Sequence, residues 1–173
     1  MNIVLCGMMG AGKTSVGIRI SELTGMRWYD TDELIVQKYG SIPSIFEFYG
    51  EGRFREIESE IVREIAKEEN CVISTGGGCV LKPENAALFK AGGGRIVFLK
   101  VNIETLFART GHTGDERPLL KNTSFEKMKA LLDMRTPRYE SCADHTVDTN
   151  GMNVDEVARE ILKVFALNER GAR

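Results

Sequence analysis

The 173-residue chain has few of the residues on which metal centres and disulfide-bonded proteins depend. It contains two histidines, and its four cysteines are scattered, with no C-x-x-C pair among them. A metal site built on imidazole is therefore not expected. The cysteines are interpreted as small buried hydrophobic residues in a reducing compartment.

Long hydrophobic runs and an excess of one charge are also missing. No apolar run approaches the roughly 18 residues that a membrane-spanning helix needs, so no membrane partner is expected. The net charge is −2 with both signs spread along the chain, which argues against a nucleic-acid partner. The first predicted strand starts at residue 2 and leaves no room for a signal peptide, so we expect a cytoplasmic protein. The length predicts a single domain over residues 1–173, and the balanced surface favours a monomer.

Residues 7–14 read Gly-Met-Met-Gly-Ala-Gly-Lys-Thr, between a strand pattern and a helix pattern. This G-x-x-x-x-G-K-[ST] pattern predicts a phosphate-binding loop. Its glycines let backbone N–H groups point at phosphate oxygens, and the following helix adds the positive end of its dipole. Lys13 is expected to reach the β- and γ-phosphates of a nucleoside triphosphate, and Thr14 to bind Mg²⁺.

Apolar runs alternate with helical patterns along the chain. Strands are predicted at 2–6, 27–29, 71–74, 95–100 and 145–147. This alternation predicts an α/β fold with a parallel sheet covered by helices on both faces. Helix N-caps are predicted at Asn102, Ser124 and Asn153. Apolar stripes predict a helix over 53–68, on which Arg55 and Glu58 can pair, and a last helix whose inward stripe runs from Val154 to Phe165.

Asp30 and Asp32 follow the second predicted strand, where an open parallel sheet forms its ligand crevice. Asp30 suits a helix N-cap, with Glu33 reaching back from the third helical position. One carboxylate of the pair could also serve Mg²⁺, and the other could orient or deprotonate an acceptor hydroxyl. Capping and catalysis are compatible here.

The chain has two glycine triplets, at 76–78 and 92–94. The first follows a predicted strand, where bare backbone lets a ligand approach closely, so we interpret it as functional. The second precedes a strand and is interpreted as a helix-ending turn.

Four arginines are candidate anion ligands: Arg55, Arg109, Arg117 and Arg135. Each also has an ordinary interpretation as a surface pair or solvated charge. Arg135 stands out, because it ends an apolar stripe, where a guanidinium must either reach the surface or meet an anion. Arg117 lies in a polar stretch without helical periodicity, at about 110–123, for which we predict a mobile lid that keeps water from the transfer.

Taken in order, these motifs resemble those of the shikimate kinases over nearly the whole chain. The resemblance rests on the loop at 7–14, Asp-Thr-Asp at 30–32, Ser-Ile-Phe-Glu at 44–47 and Gly-Glu-Gly-Arg-Phe-Arg-Glu-Ile-Glu at 50–58. It continues through Thr-Gly-Gly-Gly at 75–78, Arg-Pro-Leu-Leu at 117–120 and Arg-Thr-Pro-Arg-Tyr at 135–139. It implies a three-layer αβα P-loop NTPase fold, like that of the nucleoside monophosphate kinases. The five-stranded parallel sheet would have the order 2-3-1-4-5, with a substrate-binding part at about 31–60.

The resemblance also implies an activity and a role for each matching residue. The activity is transfer of the γ-phosphoryl group of ATP, with Mg²⁺, to the 3-hydroxyl of shikimate in aromatic amino acid biosynthesis. The ATP site would comprise Gly10, Ala11, Gly12, Lys13, Thr14 and Ser15, with Arg109 stacked on adenine and Arg117 closing over the phosphoryl group. Thr14 and Asp30 would serve the metal. The catalytic residues would be Lys13, Asp32 and Arg117. Shikimate would bind Asp32, Arg55, Gly76, Gly77, Gly78 and Arg135, with Glu58 holding Arg55.

The residues alone leave two other functions open. A sugar-acid kinase such as a gluconate kinase would need nearly the same acceptor groups. A nucleotide-dependent switch protein would need no second polar pocket, and the chain lacks an N-K-x-D base-recognition motif. The proline that some relatives carry after the last strand is absent, and Cys79 and Tyr139 have no predicted role.

Overall fold

The computed structural model describes residues 1–110 and 124–167. Its strands are β1 (Asn2–Cys6), β2 (Arg27–Asp30), β3 (Cys71–Ser74), β4 (Gly94–Lys100) and β5 (His145–Asp148). They form one parallel sheet in the order β2-β3-β1-β4-β5, so the predicted strand order is confirmed. The predicted strand positions hold to within a residue at each end.

Helices connect and cover these strands. The described α-helices are α1 (Lys13–Thr24), α2 (Thr31–Tyr39), α3 (Ile42–Ile65), α4 (Pro83–Ala91), α5 (Ile103–Thr110), α6 (Phe125–Cys142) and α7 (Val154–Val164). A short 3-10 helix spans Cys79–Leu81. Within the described ranges, no helix is both long enough and apolar enough to cross a bilayer.

The sheet separates two hydrophobic cores. Alternate residues of β1 show the division, since Ile3 and Leu5 pack towards α1 and α7, whereas Val4 and Cys6 pack towards α3, α4 and α6. The central strand of a parallel sheet that is buried on both faces is nearly continuously apolar. All five residues of β1 are buried. The predicted αβα layering is therefore confirmed.

The predicted N-caps explain where three helices begin. The Asn153 side chain accepts from the Glu156 amide at 3.0 Å, and the Glu156 carboxylate accepts from the Asn153 amide at 2.7 Å, which completes a capping box. Ser124 caps α6 with a single bond, because its side chain accepts from the amide of Lys127. At α5, Asn102 accepts from the amide of Thr105.

One detail of the helix predictions is wrong, and one helical segment was not predicted. α3 consists of two segments that meet at Gly50, whose φ of 78° and ψ of 173° are not helical. The second segment matches the helix predicted over 53–68 and ends at Ile65, whereas the first begins at Ile42, where Ser41 caps it. Val154, predicted to point inward, is 41% exposed. It is the first residue of α7, and a side chain there tilts back beyond the helix end instead of onto the core.

Candidate active site

The carboxyl ends of β1, β2 and β3 bring three loops together at one edge of the sheet. Because β1 lies beside β3 and β3 beside β2, the loop at 7–14 faces residues 30–32 and the first glycine triplet. A cavity of about 350 Å³ lies between them. Its lining includes Lys13, Thr14, Asp30 and Asp32.

The phosphate-binding loop has the conformation that its glycines permit. Gly12, the N-cap of α1, has a φ of 90°, in the left-handed region that disfavours other residues. The Lys13 ammonium donates to the carbonyl oxygens of Gly7 at 3.0 Å and Met8 at 2.9 Å. These bonds hold a positive charge above backbone amides at the start of a helix, which is an arrangement suited to phosphate.

Asp30 connects this loop with α2. Its Oδ2 accepts from the Thr14 hydroxyl at 2.8 Å, while its Oδ1 accepts from the Asp32 amide at 2.9 Å. The predicted capping of α2 by Asp30 is therefore present. The carboxylate of Asp30 therefore caps the helix that carries Asp32 and is hydrogen-bonded to Thr14 on α1.

Each glycine of the first triplet lies against a different charged side chain. A Cβ added to Gly76 would lie 2.6 Å from Asp32 Oδ1, and one on Gly77 would lie 3.5 Å from Arg135 Nη1. At Gly78 the added atom would lie 2.6 Å from Arg55 Cζ. The triplet thus makes room for the charged groups of three different helices.

Hydrogen bonds from distant parts of the chain hold the triplet in place. The amide of Gly76 donates to the hydroxyl of Thr31 at 2.9 Å, and the hydroxyl of Tyr139 donates to the carbonyl of Gly77 at 2.6 Å. Tyr139 is buried on α6, and burial raises its pKa to about 12, so it stays a donor at neutral pH. Sequence reasoning missed this role, because nothing local to Tyr139 indicates a contact with a residue 62 positions away.

The ion pair predicted between Arg55 and Glu58 is present. Arg55 Nη1 lies 2.8 Å from Glu58 Oε2, and its Nη2 lies 3.3 Å from Oε1 of the exposed Glu51. Glu58 is 1% exposed. Burial raises the pKa of its carboxyl to about 7, with a further contribution from the charge of Asp32, although Arg55 opposes the shift.

Arg135 is a buried cation without a described anion beside it. It is 5% exposed, its Nε has no hydrogen-bond partner among the described residues, and its Nη1 contacts the Met8 sulfur at 4.0 Å. Among those residues, no carboxylate lies within ion-pair distance of it. Burying an unpaired guanidinium is costly, so this position is suited to an anionic ligand.

The remaining predicted residues divide into described and undescribed ones. Arg109, on α5, donates to the carbonyl of Gly10 at 3.1 Å, which places it at the phosphate-binding loop. Arg117 and residues 111–123 of the predicted lid lie outside the described residues.

Cys79 is buried behind the first triplet, and its pKa is raised by burial, so it is an inert thiol. The second triplet ends α4 and turns the chain into β4 with Gly93 at a φ of 76°, as predicted.

Comparison with known proteins agrees with this geometry. The family model for shikimate kinase matches residues 9–166. A shikimate kinase of Caldicellulosiruptor bescii is 40% identical over 170 residues, which cover 97% of each chain. One from Thermodesulfovibrio yellowstonii is 42% identical over 167 residues, covering 95% of this chain and 94% of that protein. The structure of Acinetobacter baumannii shikimate kinase in complex with shikimate superposes with a TM-score of 0.89 and 35% identity, covering 95% of this chain and 92% of that one. The chain therefore belongs to the shikimate kinase family.

Proposed function

We propose that this chain transfers the γ-phosphoryl group of ATP to the 3-hydroxyl of shikimate, in the route to chorismate and the aromatic amino acids. One observation carries the proposal. The buried guanidinium of Arg135, which has no anion beside it among the described residues, lies at the same glycine triplet as Arg55 and Asp32, beside a phosphate-binding loop. Two guanidinium groups suit a carboxylate, while Asp32 and bare backbone suit hydroxyl groups. Shikimate carries both kinds of group.

The donor half of the site is proposed to bind ATP through the loop and the start of α1. Backbone amides of Gly10, Ala11, Gly12 and Ser15 would face the phosphates. The Lys13 ammonium, already held above the loop by two carbonyl oxygens, would bridge the β- and γ-phosphates. Arg109, whose guanidinium lies at Gly10, would stack on adenine.

Mg²⁺ would be held by Thr14 and Asp30. Their side-chain oxygens lie 2.8 Å apart, and both are the hard oxygen ligands that Mg²⁺ prefers. The protein in such sites usually supplies only one or two ligands, with phosphate oxygens and water completing the shell. Bound there, the ion would neutralise charge on the phosphates.

The acceptor half would bind the carboxylate of shikimate between Arg55 and Arg135, with Glu58 holding Arg55. Gly76, Gly77 and Gly78 would line the pocket. Asp32 would accept a hydrogen bond from the reacting hydroxyl and orient or deprotonate it, because its Oδ1 faces Gly76 at the edge of the cavity. Arg117 would close over the transferring phosphoryl group and stabilise its charge.

Replacing Asp32 tests this assignment. Asp32→Asn keeps the shape of the side chain but removes the carboxylate, so we expect ATP binding to persist while kcat collapses. Nucleotide binding is followed by titration with a fluorescent ATP analogue, and turnover by coupled ADP release. A variant that keeps most of its kcat would remove Asp32 from the role of base or orienter.

A substrate comparison tests the function itself. ADP release is measured with shikimate and with gluconate, with Lys13→Ala as the control that abolishes transfer. Shikimate-dependent release supports the proposal. Turnover of gluconate alone would favour a sugar-acid kinase, and slow hydrolysis unaffected by either acid would favour a switch protein.

We also propose that the protein works as a monomer in the cytoplasm. The single sheet with one surrounding set of helices is consistent with a monomer, and the free cysteines support a reducing compartment. Light scattering on the eluted protein, with and without ATP and shikimate, measures the mass. A dimer mass at micromolar concentration would overturn the monomer.

A further inference from the structure

Glu58 carries a buried oxygen that its ion pair does not use. Its Oε2 accepts from Arg55, whereas its Oε1 is fully buried and has no hydrogen-bond partner in the described part of the chain. This oxygen lies beside the first glycine triplet, because it is 3.2 Å from the position of an added Cβ on Gly76. A buried carboxylate oxygen without a partner is costly, so a ligand or a proton is expected to reach it.

When Glu58 is ionised, it and the groups around it are balanced in charge before an acceptor binds. The charged and titratable side chains that face it come from four elements: Arg55 on its own helix, Asp32 on α2, Arg135 on α6 and Cys79 on the 3-10 helix. Two cations thus face two carboxylates, and the thiol is neutral. An acceptor carboxylate on the two arginines adds a third negative charge. It would share the Arg55 guanidinium with Glu58, on the order of 5 Å away.

We propose that Glu58 takes up a proton when the carboxylate of the acceptor binds. This inference rests on the proposed function, because it takes the acceptor to be an anion held by Arg55 and Arg135. The proton comes from the buffer and is bound by Oε1, while Oε2 keeps its bond to Arg55. The protonated oxygen then becomes a donor beside Gly76. Glu58 acts as a positioning residue, because it holds Arg55 while giving up its charge.

The direction of the pH dependence follows from burial. In the free protein the pKa of Glu58 is raised to about 7, so the group is about half protonated at neutral pH. A neighbouring negative charge raises that pKa further, by about one to three units at such distances. The complex therefore binds more protons than the free protein. Affinity for the acceptor is greatest below pH 7, and it falls by about tenfold or more as the pH rises above that value.

The test is calorimetry of shikimate binding to the full chain with MgADP. Titrations at pH 7 in two buffers of different ionisation enthalpy give the number of protons exchanged. We expect an uptake of about half a proton per shikimate by the wild type. Glu58→Gln abolishes the uptake and the pH dependence of affinity. Glu51→Gln is the matched control, because Glu51 also contacts Arg55 but its side chain is 58% exposed. This variant keeps both the proton uptake and the pH dependence of affinity.

Four results separate the inference from simpler explanations. No proton exchange by the wild type, or an uptake that persists in Glu58→Gln, overturns it. If Glu58→Gln binds shikimate too weakly for calorimetry, the infrared difference spectrum of the wild type shows whether a carboxyl group becomes protonated on binding. A protonated carboxyl band gained on binding supports the inference, and its absence refutes it. Turnover of shikimate without proton uptake refutes this inference alone, whereas no turnover refutes the proposed function.

Discussion

The closest approach between the glycine loop and the proposed catalytic carboxylate is at Gly76. In Gly76→Ala the added Cβ would lie 2.6 Å from Asp32 Oδ1, whereas ordinary contacts begin at about 3.4 Å, so the carboxylate must withdraw by about 0.8 Å. A misplacement of about 1 Å in a catalytic group can cost about 100-fold in rate. We therefore expect kcat/KM for shikimate to fall about 30- to 100-fold, which corresponds to about 2–3 kcal/mol of barrier.

The assay is coupled ADP release at varied shikimate concentration, with nucleotide binding measured separately. Binding of ATP should change little, because its proposed site lies across the cavity. Gly52→Ala is the control, since nothing lies within 4 Å of its added Cβ. This variant should keep full activity and gain about 0.5–1 kcal/mol of stability inside α3. If Gly76→Ala folds normally and keeps more than half of the wild-type kcat/KM, the close approach has no catalytic consequence and the reasoning fails.

Three further predictions concern neighbouring groups. Tyr139→Phe leaves the half-buried carbonyl of Gly77 without its donor, so urea denaturation should show a loss of about 1 kcal/mol, and a loss below about 0.5 kcal/mol would contradict this. The folded-state pKa of Glu58, about 7, lies above its ordinary value of 4.5, so its contribution to stability is fully present below the unfolded value. That contribution is lost as the pH rises through 7, and Glu58→Gln should flatten the pH dependence of unfolding. If the free energy of unfolding depends on pH in the same way in Glu58→Gln and in the wild type, this prediction is refuted. Arg117→Ala should lower kcat by about 100-fold or more while changing KM for shikimate much less, and steady-state kinetics with the reverse pattern would refute a transition-state role.

Several parts of the molecule were predictable because their signals are local. The phosphate-binding loop, the helix N-caps and the alternation of strands and helices depend on neighbouring residues, and the structure has them where the sequence predicts them. The early start of α3 was missed, although Ser41 and Pro43 signal it, because the apolar stripe at 53–68 gives a stronger pattern. The ordered motifs also sufficed to assign the family.

What the sequence by itself determined is the set of chemical groups and the family to which they belong. Only the tertiary structure decided which groups meet. Within residues 1–110 and 124–167, Arg135 is buried without an anion, Tyr139 donates to Gly77, and one oxygen of Glu58 has no hydrogen-bond partner. These features follow from contacts between elements far apart in the chain. Burial and distance set the pKa of Glu58 and the need of Arg135 for a ligand. Both depend on the strand order β2-β3-β1-β4-β5, which brings these loops to one edge of the sheet.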